Sequence, residues 1–350
     1  MNGTLNEVTK KKEAYKMSIR IAINGFGRIG RNVFKAMFKN PGFEVVIIND
    51  LSNAKTLAHL LKYDSVYGRF GGSVSIEGND FIINGKKIKV IAEKEITKLP
   101  WGQHNIDWVV ESTGVHTKRS ALEEHLKAGA KKVVLTAPAK EPVDAVIVMG
   151  VNENVLRKEH KIISNASCTT NALAPLVKVL NDNFGIVRGL MTTIHAYTND
   201  QSTLDLIHSD LRRARAAAIN IIPTSTGAAK AIGEVIPEVS GKLNGIAVRV
   251  PVPIGSLVDL VVDLKKEAPV ELINNAFKSA ANTKMKGYLE YTEDPIVSTD
   301  VIGNPASCIF DSLFTMIIDK TQVKVLGWYD NEWGYSHRIV DIINYATKLK

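Results

Sequence analysis

Ile19-Arg20-Ile21-Ala22-Ile23-Asn24-Gly25-Phe26-Gly27-Arg28-Ile29-Gly30 is the stretch from which the fold is read. Ile19 to Asn24 is a short apolar run of the length of a buried strand. Three glycines follow in the spacing G-x-G-x-x-G, and then Val33, Phe34, Met37 and Phe38 recur at helical intervals. A second apolar run, Val45 to Ile48, ends at Asn49-Asp50, and Asp50 stands 20 residues after Gly30. Strand, glycine turn, helix, strand and acid in that order form the dinucleotide-binding fingerprint. Gly25 permits the tight turn, Gly27 lets backbone approach a pyrophosphate, and Gly30 lets the helix pack on the strand. The helix N-terminus, at Arg28 and Ile29, meets the pyrophosphate charge. Asp50 accepts hydrogen bonds from ribose hydroxyls and repels a 2′-phosphate, so the expected cofactor is NAD.

Outward from this stretch the parallel-sheet rhythm continues. Trp108 to Glu111 reads as a strand running into Ser112-Thr113-Gly114, a turn at the carboxyl edge where cofactor would lie. Lys118 to Ala128 reads as a helix, Lys132 to Thr136 as the next strand, and Ala145 to Val148 as another. Val74 to Val90 reads as short strands turned at Asn84-Gly85. Beyond residue 168 the grammar changes. Gly189 to Ile194 is a strand that ends at His195, and Ala196 to Ile222 is a long polar loop. Strand signals follow at Val248-Arg249-Val250, Val258 to Leu264, Ile309 to Ile318 and Val323 to Trp328. The stretch 258–264 alternates apolar with acidic for part of its length, as a half-exposed antiparallel strand does. Ile339, Ile343, Ala346 and Leu349 share one face of a helix expected over His337 to Leu349. The fold class is therefore α/β plus α+β: a Rossmann-type domain and a mostly antiparallel-sheet catalytic domain.

Ile162-Ile163-Ser164-Asn165-Ala166-Ser167-Cys168-Thr169-Thr170-Asn171 is the second informative stretch. An apolar strand meets a small-polar turn, and Leu173, Leu176, Val177 and Leu180 then recur at helical spacing. Cys168 is placed at the first turn of a helix, where free N–H groups and the helix dipole favour a thiolate and lower the thiol pKa. His195 supplies a base, and the polar run Tyr197-Thr198-Asn199-Asp200 follows it.

Composition sets the bounds. The chain of 350 residues is 45% hydrophobic, enough for a packed core, and carries two cysteines, too few for a disulfide framework. Scarce cysteine suits a reducing compartment, the cytoplasm. No run of 18 apolar residues is present, so no membrane span is expected. A net charge of +8 suits phosphorylated small molecules. Basic and aromatic residues do not cluster in one strip, and nucleic acid is not expected as the primary partner. Scattered histidines show no metal-ligand spacing, so no metal is expected. Residues 1–16, polar and centred on Lys10-Lys11-Lys12, read as a disordered leader.

The chain resembles the phosphorylating glyceraldehyde-3-phosphate dehydrogenase family, bacterial type. The resemblance rests on Ile23 to Arg31, Ser164 to Asn171, His195 to Gln201, Asp210 to Ala218, Ser225 to Ala231 and Trp328 to Ser336. It implies a homotetramer. It also implies an NAD-binding domain of residues 17–167 with 333–350 and a catalytic domain of residues 168–332. Carried over by position, Cys168 is the nucleophile and His195 its partner. Gly25, Gly27, Arg28, Ile29, Gly30, Asp50, Thr113 and Thr136 hold cofactor. Asn331 holds the nicotinamide carboxamide, with Tyr335 beside the ring. Thr198, Asp200 and Arg249 form the substrate-phosphate subsite; Ser167, Thr169, Arg213, Thr226 and Gly227 form that for inorganic phosphate. The implied activity is NAD-dependent oxidation of glyceraldehyde 3-phosphate with uptake of phosphate, through a thiohemiacetal and a thioester on Cys168. Erythrose 4-phosphate oxidation, or a nucleic-acid or surface binding module with a vestigial site, remain the alternatives. Two departures stand out: Ala172 where family members often carry a second cysteine, and Pro253-Ile254-Gly255-Ser256 in place of Pro-Asn-Val-Ser.

Overall fold

A computed structural model describes residues 18–349; the leader expected over residues 1–16 lies outside the described residues. The chain forms two compact units. One runs up to Asp64 and resumes over Arg69–Leu135; the other comprises Ser65–Gly68 and the chain from Thr136 onward.

The first unit contains β1 (Ile19–Asn24), α1 (Arg28–Phe38), β2 (Phe43–Asn49), α2 (Ala54–Lys62), β3 (Val74–Glu77), β4 (Asp80–Ile83), β5 (Lys86–Ile91), β6 (Trp108–Glu111), α3 (Arg119–Lys127) and β7 (Lys132–Leu135). Its strands lie in the order β7-β6-β1-β2-β5-β4-β3. The first five are parallel neighbours, and β3 and β4 extend the sheet as antiparallel hairpins. Asn84 and Gly85, both at positive φ, make the expected turn between β4 and β5. The apolar runs are explained by burial on both faces, since Ile21, Ile23, Ile47, Ile48, Val109, Val110, Val133 and Val134 are fully buried. Each such side chain contributes roughly 1.5–3 kcal/mol. The chain leaves β1 for β2 on one side and later returns to β6 on the other. The carboxyl end of β1 is thus a topological switch point, where ligands of open parallel sheets bind.

The second unit begins with β8 (Ala145–Val146) and β9 (Ile162–Ser164), a parallel pair, followed by α4 (Cys168–Phe184). Its main sheet is made of β10 (Ile186–Ala196), β11 (Ile222–Ser225), β12 (Leu243–Val250), β13 (Ser256–Leu264), β14 (Leu289–Thr292), β15 (Cys308–Ile318) and β16 (Gln322–Tyr329). The order is β11-β12-β10-β13-β16-β15-β14. β10 with β12 and β14 with β15 are parallel, and the other four pairings are antiparallel. Buried and half-buried residues alternate along the whole of β13, as its sequence predicts. Leu173, Leu176, Val177 and Leu180 of α4 are fully buried against this sheet, between α5 (Ala228–Val235) and α6 (Val270–Asn282).

Sequence reasoning did not find α2, β11, α5, α6 and β14. α5 is a helix of 8 residues with no side-chain cap, and β14 has only 4 residues. The last helix, α7 (Trp333–Lys348), starts four residues before the expected His337. Asp330 is the reason: its carboxylate accepts the N–H groups of Glu332 and Trp333 at 2.9 and 2.7 Å and caps the earlier turn. No helix among the described residues is long and apolar enough to cross a membrane.

Candidate functional site

In the first unit the glycine turn has the geometry its sequence requires. Gly25 holds φ at +89°, and a β-carbon there would meet Thr113 N at 2.6 Å. A β-carbon at Gly30 would run into Gly25 O, whereas nothing lies within 4 Å of one at Gly27. Gly25 and Gly30 are therefore needed for packing, and Gly27 leaves open backbone at the start of α1. Asp50 accepts Phe26 N–H at 2.8 Å and Ser52 N–H at 2.9 Å, so it holds the turn. Ser112 Oγ donates to Gly25 O at 2.6 Å. A cavity of about 530 Å³ lies over these strand ends, lined by Gly25, Gly27, Asp50, Leu51, Thr113 and Val115 among others. Its open glycine backbone, acid and helix N-terminus fit NAD. Arg28 begins α1 and pairs with Asp64 at 3.2 Å; Ile29 follows it in the same turn. Thr136 directly follows β7 and is half-buried.

In the second unit three residues turn the chain from β9 into α4. Ala166 among them holds φ at +53°, a left-handed conformation that costs an L-residue roughly 1–2 kcal/mol. Its surroundings enforce it. Ser164 Oγ accepts Ala166 N–H at 3.0 Å, Tyr335 OH donates to Ala166 O at 2.9 Å, and Asn171 Nδ2 donates to Asn165 O at 2.8 Å. Ser167 caps α4, its Oγ accepting Thr170 N–H at 2.9 Å. Cys168 is the first residue of the helix, as the sequence places it, and its Sγ lies 3.4 Å from Nε2 of His195.

His195, one residue before the end of β10, lies directly opposite Arg249 on the parallel strand β12. Opposed residues in paired strands project from one face, which brings the two side chains together. Nδ1 of His195 lies 2.6 Å from Ala196 O and 2.5 Å from Arg249 Nη1, which itself donates to Ala196 O at 3.1 Å. Ala196 O calls for a proton on Nδ1 and the donor-only guanidinium for a lone pair there; with Arg249 Nη1 donating to Ala196 O instead, a proton on Nδ1 leaves the Nε2 lone pair facing sulfur. Burial, reinforced by the Arg249 charge, pushes the imidazole down to about 3, so the ring is neutral at physiological pH. Burial pushes the Cys168 thiol up; Arg249 and hydrogen bonding from Thr169 pull the other way. The helix N-terminus alone predicted a lowered thiol at Cys168. Loss of water around both groups reverses that expectation.

Arg213 donates Nε to Thr224 Oγ1 at 2.8 Å, Nη2 to Ser225 O at 3.1 Å, and Nη1 to Asp200 Oδ2 at 2.5 Å. Asp200 and Arg213, assigned to different subsites by resemblance, thus form one ion pair. Gly227 caps α5, and Thr226 Oγ1 accepts Ala228 N–H at 3.2 Å. Ser167 Oγ is also bonded to Thr170 Oγ1 at 2.7 Å, and Thr169 Oγ1 is bonded to Tyr329 OH at 2.9 Å. Thr198 is half-buried, its N–H directed at Gln201 Oε1 at 3.4 Å. Nε of Arg249 is buried and without a partner. Such a donor costs about 1–3 kcal/mol until an acceptor, here an anion oxygen, reaches it.

Two residues of this site were missed from the sequence. Tyr329, fully buried, also bonds Thr193 Oγ1 at 2.9 Å and stands edge-on to the His195 ring at 5.9 Å. Ser256 Oγ accepts Ala196 N–H at 3.1 Å and donates to Asn331 Oδ1 at 2.9 Å, tying the histidine strand to the expected carboxamide ligand. Among the described residues no group of three or more His, Cys, Asp or Glu is placed to hold a metal ion.

Comparison with known proteins agrees with both halves of this description. The family model described as the NAD binding domain of glyceraldehyde 3-phosphate dehydrogenase matches residues 19–119, and that of the C-terminal domain matches residues 167–331. Glyceraldehyde-3-phosphate dehydrogenase of Geobacillus stearothermophilus is 59% identical over 332 residues, 95% of this chain and 99% of the relative. Glyceraldehyde-3-phosphate dehydrogenase 1 of Bacillus subtilis is 58% identical over 333 residues, 95% and 99% of the two chains. The enzyme of that name from Mycobacterium avium is 56% identical over 339 residues, with the same coverage.

Proposed function

Given that the chain belongs to the glyceraldehyde-3-phosphate dehydrogenase family, we propose how its own residues carry out NAD-dependent, phosphorylating oxidation of glyceraldehyde 3-phosphate. The observation that carries the reading is the 3.4 Å approach of Cys168 Sγ to the Nε2 of a neutral His195. The Nε2 lone pair takes the thiol proton as sulfur attacks the aldehyde carbon, giving a hemithioacetal on Cys168. His195 returns the proton to the new alkoxide and takes it again as hydride leaves. NAD, when bound, supplies the hydride acceptor. A thioester remains. An oxygen of inorganic phosphate attacks it, the C–S bond breaks, and acyl phosphate departs while the thiolate recovers its proton from His195.

Two anions have to be held. The buried, unpartnered Nε of Arg249 favours one, with Thr198 beside it in the assignment by resemblance. Arg213, bonded to Thr224 and Ser225 of β11, is assigned the other together with Ser167, Thr169, Thr226 and Gly227. Asp200 then serves by holding Arg213. In this reading residues 17–167 with 333–350 serve the cofactor and residues 168–332 the chemistry. The protein works in the cytoplasm, which its two free cysteines favour. It works as a homotetramer, favoured by apolar side chains left exposed on the 197–221 loop, Ile207 at 98%, and on the sheet face opposite the helices.

The test is NADH formation from glyceraldehyde 3-phosphate with and without inorganic phosphate. Phosphate-dependent turnover is expected. Turnover indifferent to phosphate, or faster on erythrose 4-phosphate, would overturn the assignment.

A further inference from the structure

Beneath the nucleotide cradle of the first unit lies a fully buried carboxylate that none of the chemistry above uses. Glu111 ends β6. Its Oε1 accepts Thr113 N–H at 2.8 Å and Thr113 Oγ1–H at 2.5 Å. Its Oε2 accepts Asn24 Nδ2–H at 2.6 Å and faces Nε2 of the buried His125 at 3.0 Å. The tautomer of His125 follows from its other neighbour. Trp101 Nε1, which can only donate, lies 3.0 Å from His125 Nδ1. Nδ1 therefore accepts, Nε2 carries the proton, and His125 donates to Glu111 as a neutral ring. Every group around the carboxylate is a donor.

The chain of bonds continues toward the cavity. Asn24, at the end of β1, accepts Asn49 Nδ2–H on its own Oδ1 at 2.7 Å. Asn49, at the end of β2, exchanges bonds with the backbone of Glu93, donating to its carbonyl at 2.9 Å and accepting its N–H at 2.8 Å. Asn24, Asn49, Glu93 and Thr113 all line the 530 Å³ cavity.

We propose that Glu111 is a positioning residue for the dinucleotide site. Its acceptor-only carboxylate fixes the Thr113 turn on one side and, through Asn24 and Asn49, the ends of β1, β2 and the chain after β5 on the other. Thr113 then meets a ligand with its backbone N–H and its hydroxyl proton both consumed and one hydroxyl lone pair taken by Val115 N–H at 3.2 Å, so what it offers is the remaining lone pair in one orientation. Trp101 and His125 hold the carboxylate from behind. A buried network of this kind is favourable only while every member is satisfied.

Glu111→Gln in the full chain is the test, read as NAD affinity by calorimetry alongside steady-state KM and kcat. Glutamine keeps size but replaces one acceptor oxygen by an NH₂ group, so either Thr113 or the Asn24 and His125 pair faces a donor. NAD affinity is expected to fall about tenfold, the lower end for losing an orienting partner, with KM for NAD rising in step and kcat at saturating NAD within about twofold. In a Thr113→Ala background the same substitution should cost less, because the two act as one unit. Unchanged NAD affinity, full additivity with Thr113→Ala, or a fall in kcat with KM unmoved would each overturn the proposal. Should Glu111→Gln not fold, His125→Leu, which withdraws one donor, is expected to weaken NAD binding, and His125→Gln, which restores one, to recover it. Equal affinities of those two variants would overturn it as well. Calorimetry of NAD alone is independent of the aldehyde chemistry, so this result and the substrate assignment can fail separately.

Discussion

Arg249 Nη1 lies 2.5 Å from Nδ1 of His195, its register partner on the adjacent strand, while Cys168 Sγ meets the other ring nitrogen at 3.4 Å. Burial first, and the Arg249 cation second, hold the imidazole in its neutral form, the form that can accept a proton.

His195→Asn should therefore lower turnover by roughly two to four orders of magnitude, the range for loss of a positioned base. NAD affinity should be retained, since the nucleotide cradle is built from other residues. Stopped-flow and steady-state rates check this; near-wild-type turnover would remove His195 from the mechanism.

The same substitution should change the acid stability of the fold. His195 is held down to about 3 in the folded state and has an ordinary value near 6.5 when unfolded. Between those values the unfolded chain takes up a proton that the folded chain refuses, so stability falls as pH drops from about 6.5 toward about 3. His195→Asn lacks that proton uptake, and its Tm should decline less between pH 6.5 and pH 4. Parallel Tm profiles for the two proteins would show that His195 titrates normally.

A thiol-alkylating reagent should inactivate with one equivalent per chain, at Cys168. Cys308 is fully buried and its thiol is pushed far up by that burial, whereas Cys168 is only partly covered. Because burial also raises Cys168, the rate should climb through neutral into alkaline pH. Peptide mapping after one equivalent decides the site. First label at Cys308 would rule out the covalent mechanism, and a rate flat well below pH 8 would restore the thiolate expected from the helix N-terminus alone.

Asp50→Ala should weaken NAD binding roughly tenfold or more, the scale of charge-assisted hydrogen bonds, and should narrow the preference for NAD over NADP. Asp50 both lines the cavity and holds the glycine turn through Phe26 N–H. Comparable catalytic efficiency of the wild type with both cofactors would show that Asp50 does not select.

What the sequence made legible follows from the range of the interactions involved. The glycine turn, the start of α4 at Cys168 and the strand ending at His195 are each specified by residues within a few positions, and each stands where the pattern predicted. Ser256 and Tyr329 are different. Ser256 works by bonding Ala196, 60 residues away, and Asn331, 75 residues away. Tyr329 reaches Thr169 across 160 positions. Strand register and the packing of α4 on the sheet create those meetings, and a single sequence displays neither. The upward shift of Cys168 was hidden for the same reason: desolvation is a tertiary property. Asp200 was legible as part of the site, but its bond to Arg213 was not.

Gly327 packs so closely that a β-carbon there would meet both Cys308 Sγ and Leu176 Cδ1. Leu176 follows Cys168 by eight residues in α4, about 12 Å along the axis at 1.5 Å per residue. The two sulfurs are thus held apart, beyond the span of a disulfide, and one helical turn after Cys168 stands the buried Ala172, which has no thiol to offer. Under oxidative stress a sulfenic acid formed on Cys168 has no internal thiol with which to condense. A disulfide that protects it from over-oxidation has to be made with a thiol from another molecule. The enzyme's tolerance of peroxide becomes a property of the cell's thiol pool rather than of its own chain.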